Sequence, residues 1–191
     1  MPDLAETYDA YREDPAFAHL RTEGIVLVPG EGSSTPKVMI VGEAPGATEN
    51  LQQRPFVGAS GRVLRSLITD VAGLDAEDYF ITNTVKYRPP GNRTPTVDEI
   101  EDSLPHLRAE FGALGAPKVI IAVGGIALMV FRPRGETRGI LACAGEAIEL
   151  RRGNWLVPMV HPAYGLRNKS FRPTMEKHWE DFGEWFRKEF Q

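Results

Sequence analysis

Four short apolar segments recur along the chain, and they constrain its fold more than any other feature. Three of them are continuous and rich in β-branched residues, which is typical of central strands covered on both faces. The fourth also predicts a strand, although Pro158 within it favours a sheet edge or a strand end. The segments are Lys37–Val41, Tyr79–Thr82, Lys118–Val123 and Trp155–Val160.

Helical patterns alternate with these strands. Apolar residues recur at helical spacing after Ser60, which we predict to be the N-cap of a helix. Thr96 and Glu99 have the spacing of a capping box at the start of another helix, in which Pro105 predicts a kink or a break. Met175–Phe190 carries an aromatic stripe along one helical face, which we expect to pack on the core.

This order of strands and helices predicts an α/β fold with a mostly parallel sheet and helices on both faces. The chain has 191 residues, a length that allows one domain and leaves no room for a second. With 42% hydrophobic and 25% charged residues, its composition is that of an ordinary globular protein. In sheets of this kind, loops beyond the carboxyl ends of the strands build the functional site.

Charge and cysteine content restrict the classes of partner and cofactor. Lys+Arg 22 and Asp+Glu 26 give a net charge of −4, so any contact with nucleic acid must be local. Cys143 is the one cysteine, which excludes an intramolecular disulfide and argues against a cysteine-held zinc or iron–sulfur site. We interpret Cys143 as a small buried apolar residue.

The amino-terminal sequence does not resemble a secretion signal. Its first residues include acids and tyrosines where a signal peptide needs a basic start and an apolar run. No later stretch approaches the roughly 18 apolar residues of a membrane span. We therefore expect a cytoplasmic protein that does not associate with membranes.

Chemically informative residues follow three of the predicted strands. Glu43 follows the first, Asn83 follows the second and His161 follows the fourth, while Phe56 lies in a segment that leads into a helix. An amide that donates and accepts, beside a ring for stacking, suits a heterocyclic base, and nearby arginines suit phosphates. A single Asn after a strand is nevertheless most often a turn residue. These residues by themselves leave open a nucleotide or nucleic-acid substrate and a purely structural role.

Four motifs in a fixed order resemble those of family 4 uracil-DNA glycosylases, over residues 20–170. They are Gly-Glu-Ala-Pro-Gly at 42–46, Pro-Phe-Val-Gly at 55–58, Asn83 with Val-Lys-Tyr-Arg-Pro-Pro-Gly-Asn-Arg at 85–93, and His-Pro-Ala-Tyr-Gly-Leu-Arg at 161–167. The resemblance implies one three-layer α/β/α domain with a four-stranded parallel sheet, spanning residues 1–191. It also implies removal of uracil from DNA by hydrolysis of the N-glycosidic bond, the first step of base excision repair.

The chain departs from that family in one respect. Family 4 enzymes typically hold a 4Fe–4S cluster on four cysteines, two near the amino terminus and two in and after the motif that contains Lys86. Here the third position is Tyr87, the fourth falls at Ser103, and Asp14–Leu20 contains no cysteine. Because thiolates hold such clusters, we predict that the chain has no metal or cofactor. We expect Tyr87, Phe17 and their neighbours to fill the space of the cluster.

The resemblance implies a base pocket built from the motif residues. Such an enzyme must flip the nucleotide out of a duplex, and Phe56 is expected to stack on the flipped uracil, with a purely core role as the alternative. Asn83 is expected to pair with the N3–H and O4 edge of uracil, where cytosine has the opposite polarity. Gly42 and Ala44 are expected to line the same pocket.

Three residues are predicted to be catalytic. His161, as a neutral imidazole, would donate to uracil O2 as negative charge develops there. Glu43 would position or activate the water that attacks C1′, or stabilise the cationic sugar. Glu49 is the rival for that role, and the resemblance places it near uracil C5, where it would help to exclude thymine. No motif lysine is placed to form a Schiff base, so we expect a monofunctional hydrolase that leaves an abasic site.

Uracil-containing DNA is the expected partner, and the chain is expected to act as a monomer. Phosphates are predicted to contact one hydroxyl and four basic side chains, with a solvated surface charge as the alternative for each arginine. Leu166 is the predicted wedge that enters the stack left by the flipped base. The predicted phosphate ligands are Ser60, Arg88, Arg93, Arg167 and Lys169.

A second hypothesis is a DNA-binding or regulatory protein that keeps the fold but has lost turnover. The missing cluster cysteines motivate it. Against it, Glu43, Phe56, Asn83 and His161 all keep their motif positions, which binding alone would not require. A variant that traps uracil-DNA through a histidine in an inserted loop is not favoured, because Lys86–Arg93 contains no histidine.

Overall fold

A six-stranded mixed sheet forms the centre of the molecule in the computed structural model, which describes residues 3–151 and 153–190. The strands are β1 (Glu31–Gly32), β2 (Val38–Gly42), β3 (Tyr79–Asn83), β4 (Val119–Val123), β5 (Ile148–Arg151) and β6 (Asn154–Met159). Their order across the sheet is β1-β3-β2-β4-β6-β5. The four inner strands run parallel, and β1 and β5 pair antiparallel at the two edges.

The α/β class and the parallel centre confirm the sequence prediction, whereas the expected four-stranded sheet is too small. Strands β2, β3 and β4 are buried along their whole length, which explains their continuous apolar sequences. β1 has only two residues, and β5 alternates between half-buried and exposed positions, so neither contains an apolar run. Edge strands of that kind lack the sequence signal of a strand covered on both faces.

Pro158 is the penultimate residue of β6, where it lies opposite Ala122 of β4. The ladder between β5 and β6 reaches only to Leu156, so Pro158 lies beyond it. The Pro158 carbonyl instead accepts a hydrogen bond from the Gly145 amide. The prediction that Pro158 marks a strand end is confirmed.

Helices cover both faces of the sheet, as the alternating pattern predicted. The described helices are α1 (Leu4–Glu13), α2 (Ala47–Gln52), α3 (Ala59–Ser66), α4 (Val97–Ala113), α5 (Gly125–Phe131), α6 (Ile140–Cys143), α7 (Pro162–Arg167) and α8 (Arg172–Phe190). Leu64 of α3 and Trp179 of α8 belong to the core on one face, and Leu107 of α4 and Leu128 of α5 to the core on the other. None of these helices is long and apolar enough to span a membrane.

The start of α3 differs from the sequence prediction. Gly58 is the N-cap, and Ser60 lies within the first turn. The Gly58 amide donates to the carboxylate of Glu49 in α2, and the helix begins two residues earlier than a cap at Ser60 would give. The prediction of Ser60 as the cap is therefore wrong.

Helix α4 begins with the predicted capping box, because Thr96 and Glu99 bond reciprocally. It then continues from Val97 to Ala113 through Pro105, so the predicted break is wrong. A proline inside a helix removes one backbone hydrogen bond. Burial of Ile100 and Leu107 on either side of Pro105 stabilises the continuous helix against that loss.

The carboxyl-terminal helix and the cysteine behave as predicted. Helix α8 buries Met175, Trp179, Phe182 and Phe186 against the sheet. Cys143 is buried in the core on the opposite face. Both are packing residues of the core.

A buried ion pair joins the end of β3 to α4. Lys86 is 1% exposed, and its Nζ donates to Glu110 at 2.7 Å, to the Thr82 hydroxyl at 2.6 Å and to the Asn83 carbonyl at 2.6 Å. The Tyr8 hydroxyl of α1 donates to the other oxygen of Glu110. Burial lowers the pKa of Lys86, and the charge of Glu110 opposes that shift. Since buried charges need full hydrogen bonding, this network fixes the backbone at Asn83.

Candidate active site

A cavity of about 440 Å³ opens where the parallel strands end. The carboxyl ends of parallel strands meet at one edge of a sheet, which brings together loops that are distant in sequence. The cavity is lined by Glu43, Ala44, Pro45, Gly46, Glu49, Phe56, Ser60, Asn83, Pro89, Asn92, Arg93, Gly124, Gly125, His161, Ala163, Tyr164 and Arg167.

Most of the residues singled out from the sequence line this cavity. The structure brings together Glu43, Ala44, Glu49, Phe56, Ser60, Asn83, Arg93, His161 and Arg167. Gly42, Arg88, Leu166 and Lys169 are outside the lining. The carboxylates, the amide, the imidazole and the aromatic ring therefore share one space.

Asn83 ends β3 beside Gly42, the residue that it pairs with at the end of β2. The Asn83 side chain is buried, and its Oδ1 lies 2.6 Å from the place that a Cβ on Gly42 would take. The same Cβ would lie 2.3 Å from the Phe56 ring. Gly42 therefore contributes by leaving room, since any side chain there would displace the amide or the ring.

His161 caps the start of α7, and this contact sets its tautomer. Its Nδ1 accepts a hydrogen bond of 3.2 Å from the Ala163 amide, which leaves Nε2 to carry the proton. Burial lowers the pKa of His161, the positive charge of Arg167 lowers it further, and Glu49 opposes the shift. The side chain is thus a neutral hydrogen-bond donor at neutral pH.

Phe56 belongs both to the core and to the cavity wall. It is 5% exposed, and its ring centroid lies 6.3 Å from that of His161. Its φ of +53° places the backbone in the left-handed region, which costs a residue with a Cβ on the order of 1–3 kcal/mol. The two interpretations of this ring, stacking surface and core residue, are compatible in this position.

Glu43 follows β2 and is half-buried at the cavity wall. Burial raises the pKa of its carboxyl group, and the side chain of Thr94 partly opposes this shift. The Glu43 carbonyl accepts from the Val85 amide at 3.0 Å, which holds the loop after β2 against the loop after β3. A carboxylate whose ionised form is disfavoured is a stronger base than a solvated one.

Glu49 also faces the cavity, but its carboxylate is engaged with the backbone. Its Oε1 accepts hydrogen bonds from the amides of Val57 at 3.0 Å and Gly58 at 2.7 Å. These bonds anchor the turn that carries Phe56. The geometry therefore gives Glu49 a structural task that the sequence did not reveal.

The basic residues at the rim differ in how their charges are used. Arg93 bonds both oxygens of Glu99, at 2.8 and 2.6 Å, so part of its charge is neutralised. Arg88 lies outside the cavity lining and donates to Asn92, a lining residue, at 2.5 Å. Arg167 lines the cavity, and the neighbouring Leu166 is 47% exposed at the end of α7. The predicted role of Leu166, as a wedge that enters the base stack of DNA, requires an exposed apolar side chain of this kind.

Sequence reasoning missed the contribution of the third parallel strand. Gly124 and Gly125 follow β4 and line the cavity beside His161, whose Cβ lies 3.4 Å from the place of a Cβ on Gly124. Gly124 has a φ of +95°, so a residue with a side chain would be strained there. A glycine pair directly after a predicted strand was the signal that would have identified this part of the site.

The positions where the family carries cluster cysteines are filled by other side chains. Tyr87 is buried, and Tyr11 stacks on Phe17 with ring centroids 4.3 Å apart. The hydroxyl groups of Tyr11 and Ser103 are 2.8 Å apart and hydrogen-bonded. Rings and hydroxyls do not fit a 4Fe–4S cluster, which requires thiolates. Within residues 3–151 and 153–190, no group of three or more His, Cys, Asp or Glu side chains could hold a metal ion.

Comparison with known proteins agrees with this site. The model of the uracil DNA glycosylase superfamily matches residues 29–183 of the chain. A type-4 uracil-DNA glycosylase of Sulfurisphaera tokodaii is 38% identical over 169 residues, which cover 81% of this chain and 71% of that protein. Type-4 enzymes of Pyrobaculum aerophilum and Thermotoga maritima are 43% and 39% identical, covering 78% and 80% of this chain and 78% and 77% of those proteins. The chain belongs to the uracil DNA glycosylase superfamily and, within it, to the type-4 enzymes.

Proposed function

We propose that the chain is a uracil-DNA glycosylase, a hydrolase that releases uracil from DNA and initiates repair at the resulting abasic site. One observation carries this proposal beyond family membership. The neutral donor His161, the buried amide of Asn83 and the ring of Phe56 line the same cavity. Together they offer a hydrogen-bonding edge and a stacking face to a flipped pyrimidine.

Recognition of uracil depends on the Asn83 amide. Its N–H donates to uracil O4 and its carbonyl oxygen accepts from N3–H, while Phe56 stacks on the ring. The side-chain oxygen of Asn83 lies beside Gly42, 2.6 Å from the place that a Cβ on that residue would take. Cytosine has an amino donor and a ring acceptor at these atoms, so both contacts would be mismatched.

Bond cleavage releases uracil as an anion. The C1′–N1 bond breaks, its electron pair moves to uracil and develops charge on O2, and His161 Nε2–H donates to that oxygen. The sugar becomes cation-like, and a water oxygen adds to C1′. Glu43 orients this water and accepts its proton. Burial raises the pKa of its carboxyl group, which makes its carboxylate a stronger base than a solvated one. Addition of the water oxygen to C1′ leaves an abasic site in the DNA.

DNA outside the pocket is bound by side chains of the cavity rim. The phosphates beside the flipped nucleotide are contacted by Arg167, Arg93 and Ser60, and those further out by Arg88 and Lys169. Leu166 enters the base stack at the place that the flipped nucleotide has left.

One copy of the cavity contains every group used in the reaction. This supports our proposal that the protein acts as a monomer, with one domain over residues 1–191. We also propose that the enzyme works in the cytoplasm.

We further infer that the enzyme works without a metal or cofactor. The stacked rings of Tyr11 and Phe17 and the Tyr11–Ser103 hydrogen bond support this inference, because they occupy the corner where the family binds its cluster. Iron and acid-labile sulfide analysis of the purified protein, with an optical spectrum, tests it. A stoichiometric cluster would overturn it.

A gel assay tests the activity itself. An end-labelled oligonucleotide with one uracil is incubated with the protein in EDTA and then treated with alkali, beside a matched thymine oligonucleotide. Strand cleavage at uracil alone supports the glycosylase. Binding without cleavage would identify a binding protein, and a shift that survives denaturant would identify covalent trapping.

We expect Asn83→Asp to relax the choice between uracil and cytosine. A carboxylate accepts from the amino group of cytosine, but it cannot donate to uracil O4. Mismatching one buried group costs about 1–3 kcal/mol, so the ratio of kcat/KM for uracil to that for cytosine should fall about 10- to 100-fold. Asn168→Asp, outside the cavity, serves as the control. An unchanged ratio in Asn83→Asp would remove this residue from recognition.

The pH dependence of kcat/KM should reflect Glu43. The base must be ionised, and burial raises its pKa above the ordinary value of 4.5, so activity should decline on acidification at a higher pH than for a solvated glutamate. Glu43→Gln should lower kcat/KM and remove this acid limb. Rate measurements across pH 4 to 8 at constant ionic strength test both statements. An identical limb in the variant would assign the titration to another group.

A further inference from the structure

The backbone of Phe56 has a conformation that an aromatic residue keeps only when its surroundings enforce it. Its φ is +53°, whereas residues with a Cβ prefer negative values. Gly58 and Gly61, which follow Phe56, are not among the residues with a positive φ. The unfavourable backbone conformation therefore falls on Phe56, whose ring lines the cavity. Contacts with the peptide groups around Phe56 show how it is held.

Arg65 holds the carbonyl side of this segment. From α3, its Nε donates to the Phe56 carbonyl at 2.8 Å and its Nη2 donates to the Pro55 carbonyl at 2.6 Å. Nη2 also lies 2.5 Å from Glu31 of β1, which orients the guanidinium. A planar guanidinium can serve two neighbouring carbonyls at once, whereas an ammonium group cannot match that geometry.

Glu49 holds the amide side. Its carboxylate accepts from the two amides that follow Phe56, those of Val57 and Gly58. Hydrogen bonds to charged partners are about twice as strong as neutral ones, so the segment is fastened by charged groups on both sides. Gly61 of α3 packs directly behind it, because a Cβ there would lie 2.2 Å from the carbonyl carbon of Phe56.

We propose that Arg65 is a positioning residue for base binding. Together with Glu49, which bonds the other side of the segment, it keeps Pro55–Gly58 in the strained turn that places the Phe56 ring in the cavity wall. The inference rests on the proposed function, since it concerns the uracil pocket. Without Arg65 the backbone of Phe56 can relax to negative φ, and the ring then leaves the position from which it stacks on uracil. The bound arrangement is thus formed before the base arrives.

The test compares Arg65→Met with Arg54→Met. Arg54 bonds the same Glu31 carboxylate, at 2.8 and 3.0 Å, but its side chain is 59% exposed and it does not hold the Phe56 carbonyl. For each variant, inhibition by free uracil reports on the base pocket, and binding of an oligonucleotide with an abasic analogue reports on the DNA surface. Thermal unfolding shows whether each variant is folded.

We expect Arg65→Met to weaken inhibition by free uracil by about tenfold or more, with abasic DNA bound within about twofold of the wild type. Arg54→Met should change neither quantity by more than about twofold. Arg65→Lys keeps the charge beside Glu31 and should show an intermediate loss. It also carries the test if Arg65→Met does not fold.

Two outcomes separate this inference from the proposed function. A wild-type protein that neither releases nor binds uracil would count against the glycosylase activity itself. A wild type that binds uracil, together with folded Arg65 variants that bind it equally well, would overturn only the positioning role. A loss of abasic-DNA binding that parallels the loss of uracil inhibition would also overturn it, because general destabilisation would explain both.

Discussion

Replacement of His161 by alanine should slow the release of uracil about 10²- to 10³-fold at saturating DNA, the usual effect of removing one donor to a developing oxyanion. The Nε2 proton is fixed by the bond from the Ala163 amide to Nδ1, so the wild-type donor is present without protonation of the ring. Because burial and Arg167 lower the pKa of His161, the variant should lose rate throughout the neutral range. Single-turnover kinetics on a uracil oligonucleotide measure this effect.

His161→Gln is the matched variant. A glutamine side chain has an N–H to offer to O2 and an oxygen that can accept from the Ala163 amide, so it should recover part of the rate. Binding of abasic-analogue DNA should stay within about twofold in both variants, since the effect belongs to the transition state. A loss smaller than tenfold in His161→Ala, with intact DNA binding, would show that another group stabilises the uracil anion.

Lys86→Met should decrease the free energy of unfolding by about 3–5 kcal/mol, because it breaks a buried ion pair by removing one partner. The substitution leaves Glu110 buried with its charge unpaired, although Tyr8 and Thr82 still donate to it. It also removes the donor to the Asn83 carbonyl. Urea denaturation at neutral pH measures the change.

Two companion variants show where the effect originates. Lys37→Met removes an ion pair with Asp78 in which the lysine side chain is 45% exposed, and it should cost less than about 1 kcal/mol. The double replacement of Lys86 by Met and Glu110 by Leu removes both charges and should recover much of the lost stability. If the double variant is no more stable than Lys86→Met, an unpaired carboxylate is not the cause.

The parallel centre of the fold could be predicted because its cause is local in sequence. A strand covered on both faces needs mostly apolar residues, and β2, β4 and the first three residues of β3 consist of them. The edge strands could not be predicted, because β1 is two residues long and β5 exposes every second residue. Their pairing depends on the neighbouring strand rather than on their own sequence. The predicted break at Pro105 was wrong for a related reason, since burial of apolar residues on both sides overrides the local preference of a proline.

Much of the site could be predicted from strand ends and motif order. Glu43, Asn83 and His161 follow predicted strands, and the topology of a parallel sheet alone brings them to one edge. Contacts between a side chain and the backbone of another segment could not be predicted in this way, because no sequence pattern indicates them. The bonds of Glu49 to the amides of Val57 and Gly58 could not be read from spacing, because they depend on a backbone dihedral angle at Phe56 that no residue type indicates.

The left-handed backbone of Phe56 sets stability and activity against each other at one position. Folding must offset the cost of an unfavourable φ at Phe56, although this conformation serves only the binding of uracil. Laboratory selection for resistance to heat would therefore accept changes that let this residue relax, whereas selection for uracil release would remove them. A thermostable descendant of this chain that kept its activity would have to gain stability elsewhere, in the core or on the surface, and leave residues 55–58 unchanged.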